Sequence, residues 1–278
     1  MTGPVSGRVS GPVRTVRIWA LLAAAALRAQ LRHRADLAFC VLGGLAFQGV
    51  GLAVVGTLLA RFHTIGGWRP GEIMLLYGLR LTAHGLWTVP FAQLLNVDQA
   101  IQQAELDRYL TRPAGVLVQL LTRQLAPVSL GDLAGGLAVL AVALPATRLS
   151  RSPALVGYLL LALAGAALLE ASLHLVTAAL AVRLAHTTAL TLTTDNLFNT
   201  FGNYPLRIFG PGLRWALTAA FPLAFAAYFP AAALLGRDGE LWVPPTVAWA
   251  APAAGVLLVA VAYRFWRYQL AHYASSGS

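Results

Sequence analysis

No lysine occurs anywhere in this sequence, so its twenty basic residues are all arginine. A Walker A loop needs its lysine to reach the nucleotide phosphates, so a standard one is excluded, and if ATP drives this protein another chain must bind it. Cysteine is almost missing too. Cys40 stands alone in an apolar run, which excludes a disulfide framework and a cysteine metal cluster. Charge is scarce: 11% of residues are charged, against about 25% in a soluble domain. A Gly-x-Ser-x-Gly nucleophile turn, a His-rich metal cluster and paired carboxylates at a catalytic spacing are all lacking, which speaks against a membrane-embedded enzyme. His63, His186 and His272 are scattered.

What fills the chain instead is apolar: 58% hydrophobic residues, with mean hydropathy +0.68. A membrane-spanning helix needs about 20 mostly apolar residues, and several stretches qualify. The class is an all-α polytopic membrane protein. The net charge of +10 is then read as arginine in loops facing anionic lipid rather than as a nucleic-acid surface.

Residues 1–13 are rich in Gly, Pro and Ser and read as a flexible tail. Residues 14–35 follow as an amphipathic helix. At about 100° per residue, Arg14, Arg17, Arg28 and Arg32 fall within an arc of about 60°, which suits a helix lying in the interface with its basic side toward the headgroups. A cleaved signal peptide shows a similar basic start; because the sequence retains Met1, an uncleaved interfacial helix is expected. The spans are expected at 37–60, 71–95, 124–145, 154–181 and 243–264, with a fifth either at 188–203 or at 215–235. Together they make one six-helix transmembrane domain over 36–270, with a tail over 271–278. In the first span Gly43, Gly44, Gly49, Gly51 and Gly56 permit close helix contact. With the N-terminus inside and 188–203 as the fifth span, Arg8, Arg14, Arg17, Arg28, Arg32, Arg34, Arg108, Arg112, Arg123, Arg183, Arg264 and Arg267 are cytoplasmic. Arg61, Arg69, Arg148, Arg151, Arg207, Arg214 and Arg237 are then outside, so the excess lies on the cytoplasmic side together with both termini.

Charges at membrane depth cost roughly 2.5–3.5 kcal/mol each on insertion scales, so those inside the spans need a reason. Arg80 and His84 are four apart on one helical face, as are Glu170 and His174; Asp132 lies in the third span. Two readings stand open: a polar patch lining a translocation path, or an interhelical ion pair of Arg80 with Glu170, Asp132 being the other possible partner of Arg80.

Between the second and third spans the sequence reads Glu105-Leu106-Asp107-Arg108-Tyr109-Leu110-Thr111-Arg112-Pro113. Further on, YPLRIFGPGLRWALTAAFPLAFAAYFPAAALLG covers 204–236. The first stretch resembles the G/E-L-D-x-x-L-x-R-P element of a branch of the ABC-2 type permeases; the position before Leu106, often Gly there, is Glu105 here. The second resembles that family's run of Tyr-Pro-Leu, Pro-x-x-Phe, Tyr-x-Pro-Ala and Leu-Leu-Gly. With the span layout, the resemblance extends over nearly the whole chain.

The resemblance implies the transmembrane subunit of an ATP-driven ABC exporter. Its partners would be two copies of a separate cytoplasmic ATPase, which carries ATP and Mg and all the hydrolysis, and a second permease, identical or homologous. The chain would bind no cofactor itself and would not be an enzyme alone. Short re-entrant helices are implied after the fifth span, where Pro and Gly interrupt the apolar run; irregular backbone at that depth needs protein or water around it. Residues of about 99–113 would form a coupling helix, with Leu106 and Leu110 sharing a face that inserts into the ATPase. Tyr109 lies beside that face, Glu105, Asp107, Arg108 and Arg112 supply charge, and Pro113 ends the helix. A competing function is an ion-coupled secondary transporter using His84, Glu170 and His174 as a proton relay, but the inverted repeat with paired broken helices expected of such proteins is not evident. Cargo is left open.

Overall fold

A computed structural model describes residues 12–32, 34–61, 64–123, 126–147, 149, 152–184 and 186–273. The first eleven residues of the tail, residues 274–278 of the other tail and the side chain of Arg14 lie outside this set. Among the described residues every regular element is helical: α1 (Pro12–Gln30), α2 (Arg34–Arg61), α3 (Pro70–Phe91), α4 (Val97–Gln102), α5 (Glu105–Leu110), α6 (Val116–Leu121), α7 (Val128–Ala146), α8 (Pro153–Leu184), α9 (Thr188–Phe201), α10 (Pro211–Trp215), α11 (Tyr228–Leu234), α12 (Pro245–Trp249) and α13 (Ala251–Ala271).

Length and composition let three of these helices cross a membrane by themselves: the first 20 residues of α2, all of α7 and all of α8. A fourth candidate is the bent pair Pro211–Ala220 and Leu223–Leu234. α3 and α13 are long enough, at about 33 and 32 Å for 1.5 Å per residue, but carry Glu72 and Arg80, and Arg264 and Arg267. Five helices, α2, α7, α3, α8 and α13, lie side by side in that order, which differs from chain order. α11 wedges against α3, α8 and α13 at one end of the row.

The row is close because its crossings lack side chains. A Cβ on Gly85 of α3 would lie 2.5 Å from the Leu133 Cα of α7, and one on Gly136 of α7 would lie 2.5 Å from the Thr82 nitrogen of α3. Gly165 of α8 and Gly255 of α13 meet backbone to backbone in the same way. Lipid tails are as apolar as leucine, so contact of this kind, rather than hydrophobic expulsion, holds membrane helices together. Of the five glycines noted in α2, only two are used so. Gly44 approaches the Val128 carbonyl and Gly51 the Tyr77 hydroxyl, while Gly43, Gly49 and Gly56 face open space.

Several boundaries differ from the sequence expectation. The amphipathic helix stops at Gln30, and Arg34 and Ala35 already belong to α2. Arg32 therefore sits in a turn and not on the basic arc of α1, while Arg17 and Arg28 are exposed on α1 as expected. The last long helix begins at Ala251, not 243, because Pro244, Pro245 and Pro252 favour helix starts and split off α12. For the fifth span, α9 matches the 188–203 choice in position, but its 14 residues reach only about 21 Å. The 215–235 choice is bent by 79° at Phe221–Pro222. There the chain passes through a π-turn, with Phe221 N–H bonded to the Ala216 carbonyl at 2.8 Å, and Pro222 has no N–H with which to continue.

Candidate functional site

At the end of the row where α3 ends, Pro90 lies in its last turn and the chain passes after Phe91 through a 3-10 segment (Ala92–Asn96) into an elbow made of α4, α5 and α6. The single helix expected over about 99–113 is two helices. Ala104 between them is left-handed, with φ 54°, a strained setting for a residue with a Cβ. α5 ends at Leu110, so Thr111 and not Pro113 closes it. Leu106 is fully buried in the chain's own core, which corrects its reading as a residue that inserts into another protein. Leu110 remains 40% exposed, together with Arg108, Thr111, Arg112 and Pro113.

The other residues of the element anchor it. Glu105 pairs with Arg123 at 3.1 Å and accepts from the Tyr109 hydroxyl at 3.2 Å. Gln119 of α6 donates to the carbonyls of Tyr109 at 3.0 Å and Ala114 at 2.7 Å, fixing the turn after α5. Burial, and then the charge of Glu105, push the Tyr109 phenol above its usual range. Asp107 is hydrogen-bonded to Tyr273, just beyond α13, whose phenol is likewise raised by burial and then by Asp107. Asp98 of α4 accepts from the Thr188 hydroxyl of α9 at 2.5 Å, and Gln102 meets the His186 ring at 3.1 Å. Trp19 of α1 packs on Phe91, ring centroids 6.1 Å apart. The elbow is thus tied by side chains to the ends of α9 and α13, and it continues directly from α3. Tyr273, Thr188 and Gln119 were not legible as its partners, since nothing local marks them.

A second polar group lies halfway along the row. His84 of α3 and Glu170 of α8 meet at 2.5 Å, and His174 approaches Asp195 of α9 at 3.2 Å. Trp87 lies between, stacked on His174 with centroids 4.6 Å apart and edge-on to His84 at 5.8 Å. The sequence expectation of an Arg80–Glu170 pair is corrected: Glu170's hydrogen-bonding partner is His84. Asp132 is not the partner of Arg80 either; it accepts from Gln48 of α2 at 2.6 Å. Spacing along one helix says which residues share a face, but not how two helices are rotated against each other. Asp195 escaped the sequence reading, although it is the only carboxylate in α9. No group of residues able to hold a metal ion occurs among the described residues.

A third group closes the opposite end and was not foreseen. Trp68, Tyr228 and Trp242 stack in sequence, with centroid distances of 5.5 Å at both steps. The Arg237 guanidinium lies 5.4 Å over Trp68 and that of Arg214 lies 5.5 Å over Trp242, so the column is capped by a cation at each end. Arg237 donates to Glu72 at 2.9 and 3.2 Å, to Glu240 at 2.6 Å and to the Gly67 carbonyl at 3.0 Å. Arg207 adds a pair with Glu240 at 2.9 Å. The only sequence signal was the Arg237–Glu240 spacing. The aromatics are far apart in the chain.

A row of apolar helices with close glycine contacts and a charged elbow defines an all-α, multi-pass membrane protein. The family described as ABC-2 family transporter protein matches residues 45–277, well over half of the chain, and this protein belongs to that family. It is a membrane permease of an ABC transporter. Neither the curated proteins nor the solved structures give a match to this chain.

Proposed function

We propose that this chain is one half of the translocation pathway of an ATP-driven exporter, coupled through the α4–α6 elbow to a separate ATPase. ATP and Mg bind on two copies of that ATPase, and a second permease, identical or homologous, completes the path. The chain crosses the cell membrane six times, through α2, α3, α7, α8 and α13 and through a fifth crossing that α9 begins, with both termini cytoplasmic. The bent segment from α10 to α11 is re-entrant on the outer face. α1 lies in the inner headgroup layer through Arg17 and Arg28, which are exposed on it.

The observation that carries this reading is the division of labour in residues 105–113. Glu105, Leu106, Asp107 and Tyr109 bind the element to its own chain, while Arg108, Leu110, Arg112 and Pro113 face outward. A part that must receive force needs both a rigid root and a free contact surface. When ATP binding draws the two ATPases together, movement of the elbow passes into α3 directly, and into α9 and α13 through Asp98–Thr188 and Asp107–Tyr273.

Gentle purification of the complex through this chain, followed by native mass spectrometry, tests the reading. An ATPase with a second, different permease supports a heteromeric exporter; an ATPase with this chain alone supports a homodimeric core. Recovery of this chain without an ATPase, with proton-dependent transport in vesicles, would replace the proposal by an ion-coupled transporter using His84, Glu170 and His174.

A further inference from the structure

α9 reads TALTLTTDNLFNTF, with five threonines, two asparagines and one aspartate among its 14 residues. At about 100° per residue these sort onto two sides. Thr191, Thr194 and Phe198 are buried against the chain's own bundle. Thr193, Asn196, Asn199 and Thr200 are exposed and share an arc of about 120° on the other side. Thr193 is satisfied locally, its hydroxyl donating to the Ala189 carbonyl at 2.7 Å. Among the described residues the side-chain amides of Asn196 and Asn199 have no hydrogen-bonding partner. A helix with its polar side turned outward belongs, in general, at a surface wetted by water.

The depth of α9 makes that side unusual. One end is tied to the elbow, where Thr188 donates to Asp98 at 2.5 Å. The other end reaches Arg80: a Cβ on Gly202, just after α9, would lie 3.5 Å from that side chain. Arg80 is ten residues into α3, about 15 Å from its Pro70 end, or half of a hydrocarbon core about 30 Å thick. With Pro70 outside and the elbow cytoplasmic, α9 climbs from the cytoplasmic surface to mid-membrane. Beyond it the bent segment closes the outer end with aromatic rings. Phe201 meets Phe209 and Phe198 meets Phe221, with centroids 5.2 and 6.0 Å apart.

Three kinds of neighbour could meet the polar side. Acyl chains offer no hydrogen bonds, so unpartnered amides facing them are costly. A second copy of α9 could bond to them across a two-fold axis, as polar side chains do between membrane helices. Asp195 speaks against both. It stands at the edge of this side with its side chain 26% exposed, backed by His174 at 3.2 Å, and α9 has no basic residue. Hydrocarbon is a poor setting for an open carboxylate. A two-fold partner would bring a second carboxylate toward the same dry seam, where like charges repel. Water satisfies the amides and the carboxylate together.

We infer that the outward side of α9 is a water-facing wall of the translocation path, open to the cytoplasm and running to mid-membrane. This rests on the exporter reading above and says along which side of the chain cargo travels.

The test uses the full chain in native membrane vesicles. Cys40, the sole cysteine, is replaced by alanine, and single cysteines are then placed one at a time. Asn196→Cys and Thr200→Cys lie on the wall, Gln103→Cys in the exposed elbow and Leu257→Cys on the exposed apolar side of α13. A cationic, membrane-impermeant methanethiosulfonate reads the surroundings, because only a thiolate reacts and thiolates form in water. In inverted vesicles Asn196→Cys and Thr200→Cys should be labelled within about tenfold of Gln103→Cys and about a hundredfold faster than Leu257→Cys. In right-side-out vesicles both should be protected. Rates as slow as Leu257→Cys in folded protein overturn the inference, as does labelling that is as fast from the outside. A copper-catalysed disulfide between two Asn196→Cys chains, with slow labelling, would also overturn it, in favour of a second copy seated on α9. Thr200→Cys decides the matter if Asn196→Cys does not fold. Recovery of the ATPase with the Cys40→Ala chain is scored separately. A labelled wall without an ATPase leaves the wall standing and not the exporter reading; an ATPase with slow labelling does the reverse.

Discussion

Replacing Arg237 by methionine should unlatch the end of the bundle where α3 begins. Arg237 donates four hydrogen bonds to Glu72, Glu240 and Gly67 and lies over Trp68. Hydrogen bonds to charged groups contribute about 1.5–3 kcal/mol each when well buried, and far less at a surface. Here the Arg237 side chain is 19% exposed and the two carboxylates 17% and 26%, so the set is partly screened. A net loss of about 3 kcal/mol is expected, including about 0.5–1 kcal/mol from the cation over the ring. For a chain of this size that corresponds to a fall in Tm of about 6–12 °C. Arg237→Lys keeps the charge but loses the planar fork and should fall about half as far. Thermal unfolding in a mild detergent, followed by tryptophan fluorescence, reports on Trp68 and Trp242 directly. A fall of less than about 2 °C for Arg237→Met would refute the view that this column and its ion pairs hold the end together.

Four further outcomes are expected. Arg108→Glu and Arg112→Glu should each melt within about 0.5 kcal/mol of the wild type, as surface changes do, yet reduce ATPase co-purification. Leu106→Ala should instead destabilise the chain by about 2–5 kcal/mol, which a melting curve distinguishes. Gly85→Leu forces a side chain into the α3–α7 backbone contact, and gel filtration should show aggregation rather than a monodisperse peak. The Tyr109 phenol is raised above 10.0 in the fold. The unfolded chain therefore loses this proton first, and the stability present below pH 10 declines as pH rises toward the folded value. Tyr109→Phe should flatten that alkaline decline in a pH series of melting curves.

The parts readable from the sequence are those governed by local rules. Apolar runs located α2, α3, α7 and α8 to within a few residues, and the Glu105–Pro113 stretch marked the elbow. What could not be read depends on how separate helices are turned and stacked. The pairing of Glu170 with His84 rather than Arg80 is a matter of rotation between α3 and α8, which spacing within either helix leaves open. The burial of Leu106 depends on α6 folding back over α5, held by Gln119, two turns of chain away. The Trp68–Tyr228–Trp242 column joins residues that only the bend at Phe221–Pro222 brings together. Hydropathy averaged smoothly across that bend and across Ala250, so it merged elements that proline separates.

α2 stands at the edge of the row, against α7 and with Gly51 at the Tyr77 hydroxyl, and leaves Phe39, Leu42, Phe47 and Val50 uncovered. Synthesis runs from the N-terminus, so α2 reaches the bilayer long before α7 exists. Until then α2 meets the bundle only where Gly51 touches Tyr77 of α3, with no charge between Asp36 and Arg61 to delay its insertion. Its docking is deferred until Gly131 of α7 arrives opposite Gly44. An early helix thus gains its main neighbour late in synthesis, and the glycine notch marks where the two meet.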